Sequence, residues 1–207
     1  MLGFTHIYDL LYRWSKVPIK SFEKAEENVD KALTLNDSLD LAHSLLGFIY
    51  LFKRQHDKAI KEGERAIELN PNGADSHVLF GFILILSDKT ELAIKLLKRA
   101  FRLNPIPNPH YYTILALAYR NNGQYEKTIE LSEKGLIGNP DQLSVYLTLA
   151  ASYSLLNQTE EAHKAVEEVL RIDPNFSLQY QAGTMPYKRQ ETGDNFIDAL
   201  RKAGLPE

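Results

Sequence analysis

Residues 40–73, DLAHSLLGFIYLFKRQHDKAIKEGERAIELNPNG, and residues 74–107, ADSHVLFGFILILSDKTELAIKLLKRAFRLNPIP, are two copies of one unit laid end to end. Gly47 and Gly81 stand 34 positions apart, as do Ala59 and Ala93, Ala66 and Ala100, and Pro71 and Pro105. Self-similarity at a fixed period near 34 marks a solenoid of helix–turn–helix units and outranks any local secondary-structure signal. In residues 40–73 the first helix holds Leu46, Gly47 and Tyr50. The second, with Asp57 expected as its cap, carries Ala59, Ala66 and Leu69 before Asn70-Pro71 stops it. Two antiparallel helices approach most closely only where their side chains are small, which sets Gly47 against Ala59.

The period extends outward in both directions. Residues 74–108 repeat the pattern with Phe80, Gly81, Ala93, Leu97, Ala100 and Pro105, and their linker adds one residue, so Pro105 and Pro140 are 35 apart. Residues 109–142 continue with Leu115, Ala116 and Tyr119 and turn at Gly123-Gln124-Tyr125. Thr128, Ser132 and Gly135 weaken their second helix, because larger or better helix formers are usual there. Residues 143–175 give Tyr146, Leu149, Ala150, Tyr153, Ala162 and Val169 and close at Asp173-Pro174. Residues 1–39 read as a degenerate first unit. Its second helix is in register through Ala25 and Ala32 with Ser21 as cap, and its first, about Ile7 to Ser15, ends at Lys16-Val17-Pro18. Residues 176–207 read as a partial unit that breaks near Gly183 to Pro186, followed by a capping helix, about Asn195 to Lys202, that buries Phe196, Ile197 and Leu200 and stops at Gly204.

The composition is that of a folded chain, with 44% hydrophobic and 25% charged residues. A net charge of −3 supplies no basic footprint, so nucleic acid is disfavoured as a partner. The absence of cysteine excludes disulfides, thiolate metal sites and thiol chemistry. The longest apolar run, Val78 to Leu86, is nine residues, far short of the roughly 20 that span a bilayer, and no basic segment precedes an apolar one at the start. No membrane insertion is expected, and the expected placement is cytoplasmic, or extracytoplasmic if the chain is a fragment of a membrane-anchored protein. Met1 reads either as a true start or as a boundary within a longer protein, and the degenerate first unit favours the latter.

No catalytic motif is present: there is no glycine-rich phosphate loop, H-E-x-x-H or G-x-S-x-G, so no enzyme activity and no cofactor are expected. His43 and His77 share one place in adjacent units and read as packing residues rather than a metal pair. His56-Asp57 are neighbours on a turn and do not face each other as a dyad would. Glu27–Lys31, Glu130–Lys134 and Glu160–Lys164 are i,i+4 pairs on solvated faces.

The pattern L-G-x-x-Y at Leu46, Gly47 and Tyr50, followed by Ala59, Ala66 and Pro71 at a period of 34, resembles tetratricopeptide repeats, with four units from Asp40 to Asn175 in good register. The resemblance implies an all-α, right-handed superhelical solenoid of antiparallel helix pairs, whose first helices line a concave groove for a protein or peptide ligand. In this register the groove residues are Leu41, Ser44, Leu45, Phe48 and Phe52, then Val78, Leu79, Phe82 and Ile85, and further along Thr113, Leu117, Arg120 and Asn121. The lining turns polar there, with His110, Ser144, Thr148 and Ser154 beside them. Leu45, Leu79 and Leu86 fit either the groove or the packing between units. Phe48, Phe52, Phe82 and Ile85 are expected to be exposed, forming an apolar surface for a peptide, a helix or another copy of the chain.

Arg120 and Asn121 alone do not make the Lys/Asn/Arg clamp that holds a terminal carboxylate in some of these domains. Arg54 to Ile60, Gly63 to Ala66, Met185-Pro186-Tyr187 and Ala199 to Pro206 are similar to the C-terminal repeat region of bacterial adenylate/guanylate-cyclase-type regulators. That similarity implies a signalling context with an effector module elsewhere. A helical-repeat RNA reader is the alternative, but it predicts polar readers in each unit and a basic surface.

Overall fold

The computed structural model describes residues 18–207, with side chains from Glu23 onward. Among the described residues there are eleven helices and no strand. Helix α1 spans Pro18–Leu35. Four pairs follow: α2 (Asp40–Phe52) with α3 (His56–Leu69), α4 (Ala74–Leu86) with α5 (Thr90–Leu103), α6 (Pro109–Asn121) with α7 (Tyr125–Leu136), and α8 (Leu143–Leu155) with α9 (Thr159–Ile172). Two more, α10 (Leu178–Thr184) and α11 (Gln190–Ala203), end the chain. Each pair packs on itself and on the next, and first helices also touch first helices, so the chain is a helical solenoid.

Small residues set the spacing within the pairs. A Cβ on Gly47 would lie 3.0 Å from the Ala59 carbonyl oxygen and 2.9 Å from the Ile83 side chain. The turn inside each pair also repeats. Arg54, Asp88, Gly123 and Asn157 occupy successive equivalent places, all at φ between +58° and +71°. The left-handed residue reverses the chain, and the next N–H reaches back to a carbonyl five residues earlier: Gln55 to Tyr50, Lys89 to Leu84, Gln124 to Tyr119 and Gln158 to Tyr153. Buried apolar residues fall in two clusters, one running from α1 to α6 and one from α8 to α11.

Several local expectations are corrected. Asp57 lies inside the first turn of α3, and Gln55, which precedes the helix, makes no side-chain cap. Pro18 opens α1, its fixed φ suiting a first turn, and Ser21 lies within that helix and not at its cap. The helix expected at about Ile7 to Ser15 lies outside the described residues. The last helix begins at Gln190, five residues ahead of expectation, and stops at Gly204 with φ of +105°. In α7, Thr128 and Ser132 are fully buried; Thr128 donates to the Gln124 carbonyl at 3.0 Å, whereas the Ser132 hydroxyl has no partner.

Candidate functional site

The expected apolar groove is filled. Phe48 is 0% exposed and Phe82 3%, and Ser44, Leu45, Val78 and Ile85 are buried as well; Leu41 and Phe52 are half-buried. Phe48, Phe52, Phe82 and Ile85 were expected to be exposed, and stacking explains why they are not. The Phe48 ring lies 4.7 Å from that of Phe52 and 5.6 Å, nearly parallel, from that of Phe82. These rings pack on one another across adjacent units, and α4 is buried on every side from Ser76 to Leu86. Leu79 and Leu86 are buried too.

What covers the first-helix face is the chain itself. Between α10 and α11 the segment Met185 to Arg189 is not helical and crosses the face. It makes a tight turn at Pro186, where the Tyr187 N–H reaches the Met185 carbonyl at 2.9 Å. Pro186 and Tyr187 are buried. Tyr187 belongs to the first apolar cluster although α11, which follows it, belongs to the second. Its hydroxyl accepts a 2.6 Å hydrogen bond from Arg120. The Lys188 N–H donates to the Leu86 carbonyl at 2.8 Å, at the open end of α4. Lys188 pairs with Asp57 at 3.3 Å and Arg189 with Asp88. Arg54 lies 3.5 Å from the Tyr187 carbonyl oxygen.

Farther along, the face is polar, in agreement with the residues at Thr113, Arg120 and Asn121. Thr113 and Asn121 are half-buried, Leu117 is buried, and Arg120 is only 6% exposed. The Arg120 guanidinium stacks on Phe196 with 3.7 Å to the ring centre, and it donates to the Asn121 side-chain oxygen at 3.0 Å. It has no carboxylate partner among the described residues, and the Asn121 amide nitrogen is buried without an acceptor. Beside these groups lies an open cavity of about 330 Å³, lined also by Ala151, Leu155, Arg189 and Phe196. A smaller one of about 90 Å³ sits under Met185 and Tyr187, against Phe82, Ile114, Leu117 and Leu147.

His43, His56 and His77 are held by local hydrogen bonds. The ring nitrogens of His43 meet Glu62 at 2.7 Å and the Asp37 carbonyl at 2.8 Å, and His77 meets the Gly73 carbonyl at 2.8 Å. His56 faces Ser87 at 3.1 Å. Burial lowers the pKa of His56, with Lys188 and Arg54 adding to the effect; burial also lowers His77 and brings His110 down to about 4.

Residues 40–72 and residues 119–183 each match a family model described as tetratricopeptide repeat. These are tetratricopeptide repeats. Over 89 residues, 43% of the chain, the sequence is 28% identical to protein O-mannosyl-transferase TMTC1 of Homo sapiens, 10% of whose length is matched. Over 62 residues, 30% of the chain, it is 36% identical to the BBSome complex member BBS4 homolog of Drosophila melanogaster, 13% of which is matched. The chain thus spans a small part of these curated relatives.

Among solved structures, PilW, a widely conserved type IV pilus biogenesis factor, aligns with a TM-score of 0.69 and 14% identity, over 98% of this chain and 88% of that one. YrrB, a TPR protein with an unusual peptide-binding site, aligns at 0.56 and 21%, over 76% and 80%. Both likenesses show the fold. Within the repeats, sequence reasoning missed Arg54, Asp57 and Asp88 as contacts of the C-terminal segment. The available signal was the Lys188-Arg189 pair, opposite in charge to one aspartate in each of two adjacent repeats.

Proposed function

We propose that this chain is a non-catalytic scaffold whose first-helix face holds a short segment of a partner protein. The observation that carries this reading is the seat of Met185 to Arg189, a non-helical stretch held by an apolar slot, the Arg120 guanidinium, a helix-end carbonyl and two aspartates. A face that accommodates such a stretch offers what peptide recognition requires: main-chain hydrogen bonds and side-chain pockets. The similarity of Met185-Pro186-Tyr187 and of Ala199 to Pro206 to cyclase-type regulators supports a role as a module of a larger signalling protein. The net charge of −3 speaks against the RNA reading.

A photo-crosslinking side chain placed at Leu155, 40% exposed on the cavity rim, is compared in lysate with one at Leu92, 46% exposed on a second helix. Adducts to a defined partner segment at Leu155 and not at Leu92 are expected. Equal labelling at both, or none at Leu155, contradicts the scaffold reading.

A further inference from the structure

We infer that Met185 to Arg189 is a built-in stand-in for the partner, and that the partner segment shares its chemistry: an apolar residue and a proline, then a tyrosine, then two basic residues. The inference rests on the scaffold reading above and names its ligand class. Each part of the segment meets a matching group on the repeats. Tyr187 fills an apolar slot and meets a guanidinium at its hydroxyl. Lys188 meets Asp57 in the first turn of α3, and Arg189 meets Asp88 at the turn between α4 and α5, so the two carboxylates stand on two successive repeats.

The Phe48 and Phe82 rings stack on each other, and the segment adds Tyr187 and Met185 to the edge of that cluster. The segment is tethered at both ends. Leu178 is buried and its N–H donates to the Pro206 carbonyl at 3.0 Å, while α11 packs on α8 and α9. A tethered ligand competes at an effective concentration of order millimolar, so a free segment binds the intact chain only in the fraction of molecules whose tether has let go. The ion pairs that hold it are solvent-exposed and individually weak, which leaves it displaceable.

The test uses the full chain and a fluorescein-labelled peptide copying residues 183–190, followed by fluorescence anisotropy. In one variant the tether is disabled by Tyr187→Ser, Lys188→Ser and Arg189→Ser. In a second, Asp57→Asn and Asp88→Asn are added; asparagine is chosen because it tolerates the left-handed φ of +63° at position 88. Circular dichroism verifies folding, and a chain with a flexible insertion at Gly183 frees the tether without touching its side chains.

Binding about tenfold or more tighter to the disabled and insertion variants than to the intact chain is expected, with loss of most of that gain on the aspartate changes. Equal affinity for intact and disabled chains overturns the stand-in role. No binding to either freed variant, while crosslinks still form at Leu155, overturns the partner chemistry and leaves the scaffold. No binding and no crosslinks removes both.

Discussion

Arg54 is the most costly of the four turn residues. An L side chain at φ of +58° pays a steric cost that glycine avoids, and asparagine at the equivalent Asn157 pays less of it. Arg54→Gly is therefore expected to stabilise the chain by about 0.5–1 kcal/mol in urea unfolding, net of glycine's extra unfolded-state entropy. Gly123→Ala, with open space around its Cβ but φ of +71°, should lose about 1 kcal/mol from the backbone alone. Gly47 fails for a different reason. A methyl group there meets the Ala59 carbonyl oxygen, which cannot rotate away, so Gly47→Ala should cost about 1–3 kcal/mol despite the better helix propensity. This close approach was legible in the sequence as Gly47 against Ala59, because only the smallest side chains permit such a crossing.

At the scale of the helix, the period made the pairs legible and left the caps obscure. Asp57 looked like a cap by residue type, but its carboxylate is directed to Lys188, a residue 131 positions away that no local rule connects to it. The weak composition of α7 was legible, and its consequence is testable. Ser132 takes the slot that Leu97 fills one repeat earlier, and its hydroxyl is buried without a partner. Ser132→Ala should stabilise by about 1 kcal/mol, read as a rise in the urea midpoint at constant slope. The first helices of two adjacent repeats also carry histidines, His77 buried and His110 half-buried. Burial holds His77 and His110 below the ordinary value of 6.5, His110 down to about 4. Between these values the unfolded chain binds more protons than the folded one, so stability is fully present above about pH 6.5 and falls as pH drops toward 4. A Tm lower by about 5 °C or more at pH 4.5 than at pH 7.5 is expected, with a smaller drop in His110→Gln.

For the whole molecule, the sequence was read correctly as a solenoid and incorrectly as a solenoid with an open apolar groove. The repeat pattern assigns each first helix an inner face, but it does not record what folds back onto that face. Phe48 and Phe82 are buried by each other, and Phe82 also lies beside Tyr187, more than 100 positions later in the chain. The central claim is that Met185 to Arg189 sits on the repeats as a bound ligand would. Hydrogen exchange at Lys188, whose N–H is held by the Leu86 carbonyl, tests it most directly. Intermediate protection is expected, well above that of an open loop and below that of the α4 core amides, and it should be lost in Tyr187→Ser while α4 stays protected. Exchange of Lys188 as fast as in a free peptide, or as slow as in α4 and unchanged by Tyr187→Ser, would contradict it.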